Sequence, residues 1–386
     1  MNARKAIKWS SLAAIVLIFS ALFVRALHAP AAAGFVPSRA SAQTASAAPF
    51  HRSELLPNGS AQSVHSATAL ELFDGRLRAF WYGGTREGAA DVAIYTSVYS
   101  PKDASWSPER AVMTRELAQR ELRRHVRKLG NPVVGRDGRG RVCLFFVSVS
   151  VGGWAGSAIN LMTSEDEGET WSPPRRLMAS PFFNISTLVK GVPLLLADGT
   201  TALPVYHEFL GKFGELLRVD AEGAVVGKTR LSWGKSSLQP VIVPRSGTDA
   251  VAFMRYAGDP PARILVAHTG DAGAHWSVPL KTSLPNPNSA VASVLLSGGP
   301  LVLAFNNAEE NRESLSLALS ADFGETWRVA RELEGESLAP HAPVAEYSYP
   351  WMLQQSSGDV HVLYTWGRSR IKHVVFNRAW LEGGGR

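Results

Sequence analysis

Beyond residue 50 the chain is built from short runs in which apolar and polar residues alternate. Ala93-Ile94-Tyr95-Thr96, Ala158-Ile159-Asn160-Leu161-Met162, Ile264-Leu265-Val266-Ala267 and Ser316-Leu317-Ala318-Leu319 are the clearest. A period of two marks strands, and turn residues close each run. Each of these runs leads into one recurring turn. Ser164-Glu165-Asp166-Glu167-Gly168-Glu169-Thr170-Trp171 and Ser320-Ala321-Asp322-Phe323-Gly324-Glu325-Thr326-Trp327 are full copies. Thr269-Gly270-Asp271-Ala272-Gly273-Ala274-His275-Trp276 starts with Thr, and Ser100-Pro101-Lys102-Asp103-Ala104-Ser105-Trp106 is a shortened copy without its Gly. In such a turn the Asp accepts backbone N–H bonds and the Gly takes a positive φ. The Trp is expected to fold back as an apolar plug between neighbouring sheets, its N–H needing a partner.

The tryptophans at 106, 171, 276 and 327 are separated by 65, 105 and 51 residues. The long gap is two periods, so one unit lacks its motif. Its turn is placed at Asp220-Ala221-Glu222-Gly223, between Leu216-Leu217-Arg218-Val219 and Val225-Val226. A last unit runs from Tyr347 to Leu381. Six units of ~50 residues, each of several short strands, predict an all-β fold, a six-bladed β-propeller with four-stranded antiparallel blades.

Composition adds little to this picture: 45% hydrophobic, 19% charged and a net charge of +7. The cluster Arg120, Arg123, Arg124, His125, Arg127 and Lys128 reads as a solvated loop or an acidic-glycan contact. No zinc spacing, nucleotide-binding Gly loop or RNA-binding aromatic signature is present, so neither nucleic acid nor a metal or other cofactor is expected. Cys143 is the only cysteine, which excludes an intramolecular disulfide and predicts a buried inert thiol. At the N-terminus, basic residues precede a sixteen-residue apolar stretch, Trp9 to Val24, closed by Arg25. Residues 1–27 therefore read as a signal peptide or a short signal anchor, and 28–49 as an Ala/Ser/Pro-rich linker. Residues 50–386 are the propeller. Either reading of the N-terminus predicts export, to the periplasm, the inner-membrane surface or beyond, with membrane contact only through this segment.

The Asp boxes, their period and several spaced motifs resemble the sialidase (neuraminidase) superfamily, the BNR-repeat proteins, over about residues 60–380. The loop Phe80-Trp81-Tyr82-Gly83-Gly84-Thr85-Arg86-Glu87-Gly88-Ala89-Ala90-Asp91, with His65 before it and His125…Gly130-Asn131-Pro132 after it, is similar to the branch called predicted neuraminidase. The resemblance implies a propeller of sialidase type, three arginines for a substrate carboxylate, an acid/base carboxyl, and a tyrosine nucleophile activated by a Glu. Tyr347, in Glu346-Tyr347-Ser348-Tyr349-Pro350, takes the nucleophile's place. Arg312 and Arg255 match the third and second arginines. Glu87, then Asp91, are the candidate general acids, with Arg86 beside them.

Two positions depart from the pattern. His65 or Ser66 stands where the first arginine belongs, and Ser236-Ser237 where the activating Glu belongs, just before Gln239. His65 joins the catalytic candidates, and His207, Glu208 or Glu346 could take the phenolic proton. His125, Asn131, Lys190, His207, Gln239 and Asn288 are candidate substrate contacts at strand starts, where propeller blades face one funnel. The implied activity is a monomeric, exported exo-glycosidase acting on an anionic glycan, either sialic acid or a uronic-acid type. The rival readings are a polysaccharide lyase using a His/Tyr pair and a non-catalytic carbohydrate binder.

Overall fold

The computed structural model describes residues 12–20, 33–37, 48–59, 61–180, 184–335, 338 and 345–383. Two compact units divide it at Ala33. In the first, residues 12–20 form a helix whose side chains are exposed. Among the described residues no helix is long and apolar enough to cross a membrane. Of the expected signal segment and linker, residues 1–11, 21–32 and 38–47 lie outside the described residues.

The second unit is a ring of six antiparallel sheets, the expected six-bladed β-propeller. The innermost strands are Ser63–Glu71, Lys128–Arg136, Leu188–Val189, Ser237–Pro244, Ala292–Leu295 and Tyr347–Gln354; neighbouring ones contact each other round the ring, except that the third blade meets Ser237–Pro244 through its second strand, Thr201–His207. The third blade has its outer turn at Asp220–Gly223, between Phe213–Val219 and Val225–Arg230, where the missing motif was placed. Closure is made by the strand that precedes the first blade. His51–Leu55 pairs antiparallel with Arg370–Phe376 as the outermost strand of the sixth blade. That closure leaves the last sheet with no missing fourth strand and ties the two ends of the unit together.

Apolar side chains from facing sheets form the core, and the Asp-box tryptophans plug the gaps between blades. Trp171 meets Phe80 of the preceding blade edge-on at 5.7 Å, and Trp327 meets Phe253 likewise at 5.4 Å. Trp106 of the first blade contacts His373 of the sixth at 5.2 Å. Only the ring is used at most of these sites. The Trp327 indole N–H donates to the Gly324 carbonyl at 3.1 Å, whereas those of Trp106, Trp171 and Trp276 have no protein acceptor. In the full boxes the residue before Gly also takes a positive φ: Glu167 and Gly168 at 62° and 89°, Phe323 and Gly324 at 62° and 104°. Two successive left-handed residues are what a tight hairpin turn demands. Cys143 is buried, and burial pushes its thiol up to about 12.

All the box turns lie at one end of the propeller. Antiparallel order then puts the starts of the innermost strands, and the loops joining second to third strands, at the other end. Near the box end, Gly34–Val36 hook onto the third and fourth blades. Phe35 N–H donates to the Gly247 carbonyl at 2.8 Å, Val36 N–H to Leu195 at 2.9 Å, and the Phe35 ring is 3% exposed.

Candidate active site

At the end opposite the Asp boxes, one backbone device recurs in every blade. Ser66, Asn131, Ser186, Gln239, Asn288 and Tyr349, one per blade, have φ of 54°, 44°, 61°, 52°, 52° and 53°. None is glycine, so each stores strain of about 1–3 kcal/mol that the surrounding sheet must hold. In four blades the ladder skips at this residue: between His65 and Thr68, Gly130 and Val133, Leu238 and Val241, Ser348 and Trp351. Such bulges re-aim side chains. Here they bring the innermost strands' polar residues to one funnel.

Tyr349 is therefore the tyrosine that faces the funnel, and the structure corrects the expectation for Tyr347. Tyr347 lies two residues before the bulge residue, and its ring packs in the apolar cluster between the fifth and sixth blades. The Glu334 carboxylate holds its hydroxyl, and burial first, then Glu334, pushes that phenol up. Tyr349 instead stands edge-on to His65 at 6.2 Å and lies within electrostatic reach of the Tyr82 and Tyr206 hydroxyls. Burial raises both of those phenols.

A ladder of alternating charge crosses the funnel from the fifth blade to the first. Arg312 Nη1 donates to Glu346 Oε1 at 3.0 Å, and Arg368 Nη1 to Glu346 Oε2 at 3.2 Å. Arg368 Nη2 donates to Glu87 Oε2 at 3.1 Å, and that oxygen is 4.0 Å from His65 Nε2. Arg255 extends the row: its Nε donates to Asn288 Oδ1 at 2.6 Å, and Arg312 Nη2 to the Asn288 carbonyl at 2.6 Å. Three guanidiniums thus line one arc, separated by Asn288 and Glu346. The sequence reading found two of them and missed Arg368, which is delivered by the tight turn between the last two strands of the sixth blade. Its φ of 56°, directly after Gly367, marks that turn in the structure.

His65 itself is 1% exposed, and neither ring nitrogen has a protein partner within hydrogen-bonding distance. Burial drives its imidazole down to about 4; Glu87 and Glu346 pull upward, and Arg368 and Arg312 oppose them. It is neutral at pH 7, and burial makes it a weaker base than a free imidazole. On the far side of the funnel, Gln239 Nε2 and Asn131 Nδ2 donate to the Tyr206 hydroxyl at 3.2 and 3.4 Å, and Arg255 Nη1 donates to Gln239 Oε1 at 3.2 Å. Glu208 is the carboxyl whose affinity for its proton is raised here, by burial, against Arg255 and Lys212. Lys190, 2% exposed, lies beneath the funnel and donates to the Pro350 carbonyl at 2.9 Å, next to Tyr349. Burial alone lowers its ammonium to about 7.

Four expected site residues stand apart. Asp91 accepts from the Thr85 N–H and hydroxyl at 2.8 and 3.0 Å, and it shapes its turn. Burial nudges that carboxyl upward, but the Thr85 bonds outweigh it and hold the group low. Arg86 is exposed, and its charge acts on Asp91, whereas Glu87 pairs with Arg368. His207 stacks on Phe213 at 4.5 Å and bonds Glu215 at 2.7 Å, within its own blade. His125 is exposed on the loop before the second blade.

The sequence matches the model of the BNR repeat-like domain over residues 75–362. Comparison with the curated proteins yields no match. Among solved structures, a protein of unknown function from Dyadobacter fermentans superposes with a TM-score of 0.67 at 13% identity, over 85% of this chain and 99% of that one. The NanB sialidase of Streptococcus pneumoniae gives 0.66 at 12%, over 85% and 70%. The intramolecular trans-sialidase of Ruminococcus gnavus, solved with oseltamivir carboxylate, gives 0.64 at 14%, over 86% and 99%. At these identities the superpositions establish a shared fold. The chain belongs to the BNR repeat-like family and is built on the sialidase propeller.

Proposed function

We propose that this protein is a sialidase-like glycosidase that acts on the terminal residue of an anionic glycan. The observation carrying the proposal is the arc of Arg255, Arg312 and Arg368 beside Tyr349, four residues from three blades. Guanidiniums recognise a carboxylate by paired charge-assisted bonds. A carboxylate held there would displace Glu346 from at least one of its arginines. A phenol is a suitable nucleophile toward an anionic sugar, since a carboxylate would be repelled by it, but it needs a proton acceptor. His65, edge-on to Tyr349 at 6.2 Å and drawn upward by Glu87 and Glu346 against its burial, is the candidate acceptor in place of the Glu that the sialidase pattern calls for. Glu208, whose affinity for its proton is raised by burial, is the candidate acid for the leaving oxygen, with Glu87 second. The family resemblance and the sialidases sharing the fold support this reading.

One observation favours a second reaction on the same site. A neutral imidazole beside a phenol is the pair needed to eliminate across a uronate, and among the described residues no carboxylate hydrogen-bonds Tyr349. Incubating the full chain with sialylated and uronate oligosaccharides and weighing the products separates these cases. A hydrolysis product gains one water, and an elimination product does not and absorbs near 230–240 nm. Turnover of neither class would defeat both and leave a binder. The N-terminal segment supports export, which cell fractionation would test.

A further inference from the structure

We infer a second saccharide-binding subsite on the rim of the third blade, built on Trp233; it rests on the glycan reading above and extends it to a longer chain. Trp233 is 74% exposed, yet its position is fixed from below. The Arg230 guanidinium lies 4.8 Å from its ring centre and 3.3 Å from that of Phe213, and Phe213 stacks on His207 at 4.5 Å. Four planar groups thus pile up, and the last one shows its outer face to solvent. The backbone is equally tied. Arg230 Nε donates to the Ser232 carbonyl at 2.9 Å, and the buried Ser232 hydroxyl accepts from Gly214 N–H at 2.8 Å and bonds Ser237 Oγ at 2.6 Å.

An exposed indole that nothing fixes is a hydrophobic liability, but one immobilised in advance has already lost the entropy that binding would cost. Its flat apolar face suits the apolar face of a pyranose ring, and Arg230 places positive charge directly behind it. Continuity with the funnel runs through the loop after Thr201–His207. There the Glu208 and Phe209 N–H groups both donate to Ser186 Oγ, at 3.1 and 3.0 Å, and Ser186 is the left-handed residue of this blade. Phe209, 58% exposed, therefore stands next to the candidate acid. The occupant is the next sugar unit or units of an acidic oligosaccharide whose terminal residue sits among the arginines.

Calorimetric titration of the full chain with two length series tests this: α2,8-linked sialic acid dimer to hexamer, and hyaluronan disaccharide to hexasaccharide. In one of the two, wild type should bind the longest member about three- to tenfold more tightly than the shortest, the size of one aromatic stacking contact. Trp233→Ala should erase that gain while leaving the shortest ligand within twofold, and Trp233→Phe should keep most of it. Arg312→Ala should weaken short and long ligands alike. If Arg312→Ala spares the short ligand while Trp233→Ala still erases the gain, the funnel reading fails and the platform stands. The platform is overturned if Trp233→Ala keeps the gain, if it weakens all lengths equally, or if neither series binds. A wild-type dimer that Trp233→Ala turns into a monomer by size exclusion overturns it too, since a second copy would then cover this face.

Discussion

The two ends of the propeller handle charge in opposite ways. At the Asp-box end every aspartate is satisfied within its own turn. Asp322 receives the Ser320 hydroxyl at 2.7 Å and the Thr326 N–H and hydroxyl at 2.9 and 2.5 Å, and Asp166 is bound in the same way. Those bonds, led by the Thr hydroxyl, hold both carboxyls far below the ordinary range. At the funnel end, Arg255–Asn288, Arg312–Glu346 and Arg368–Glu87 join neighbouring blades, left-handed residues are held without glycine, and neither His65 ring nitrogen has a partner. Locally satisfied charge stabilises a turn, whereas charge that depends on several blades is costly and persists where a ligand uses it. The difference separates the box aspartates from the charged residues of the funnel without reference to any relative.

The largest expected effect lies at the funnel. Tyr349→Phe should lower turnover of the acidic glycan by about 10²–10⁴-fold with binding preserved, the range for lost nucleophilic or acid–base groups. Tyr347→Phe should stay within about threefold in steady-state kinetics, because that hydroxyl serves Glu334. The opposite ranking would return the chemistry to Tyr347.

Next come the guanidiniums. Arg368→Ala and Arg312→Ala should each weaken an anionic ligand by about 1.5–3 kcal/mol in calorimetry, the cost of a charge-assisted bond. An Arg368→Ala protein with unchanged affinity would reduce the arc to two arginines.

At the other end, Asp322→Ala should lower the melting temperature and leave turnover per folded molecule unchanged. Because the folded carboxyl lies below its unfolded value, its stabilisation is present above about pH 4 and fades as pH falls further. The wild-type and variant melting curves should converge there. A loss of turnover at unchanged stability would blur the division between the two ends.

The smallest effect concerns Lys190. Its folded value of about 7 lies below the free-lysine 10.5, so the unfolded chain binds the extra proton between them. Stability should therefore rise with pH across that window, and Lys190→Met should flatten the rise in melting temperature. An unchanged slope would show that the ammonium is solvated.

Much of the fold was legible because its signals are local. Strand alternation, the Asp-Gly turns and the Trp spacing each lie within a few residues, so even the blade without a box could be placed by its Asp220–Gly223 turn. Asn131, Gln239 and Asn288 were legible as polar residues at strand starts. The exchange of Tyr347 for Tyr349 was not, because a bulge inverts which side chains face the axis and leaves no mark in composition. Arg368 was hidden because its role comes from the closure that sets the sixth blade beside the first. The His65 environment is likewise assembled from elements more than 200 residues apart. Completing the sixth blade's outer edge with His51–Leu55, more than 300 residues away in sequence from Arg370–Phe376, was equally outside any local pattern.

The central claim is that the funnel recognises a carboxylate through Arg255, Arg312 and Arg368. The most direct test compares one bound oligosaccharide with its analogue whose terminal carboxylate has been reduced to the alcohol, by calorimetry on the full chain. The account predicts at least about a tenfold loss of affinity on reduction, as for one charge-assisted contact, and no such difference in an Arg312→Ala/Arg368→Ala double variant. Equal binding of the acid and the alcohol by the wild-type protein would contradict it.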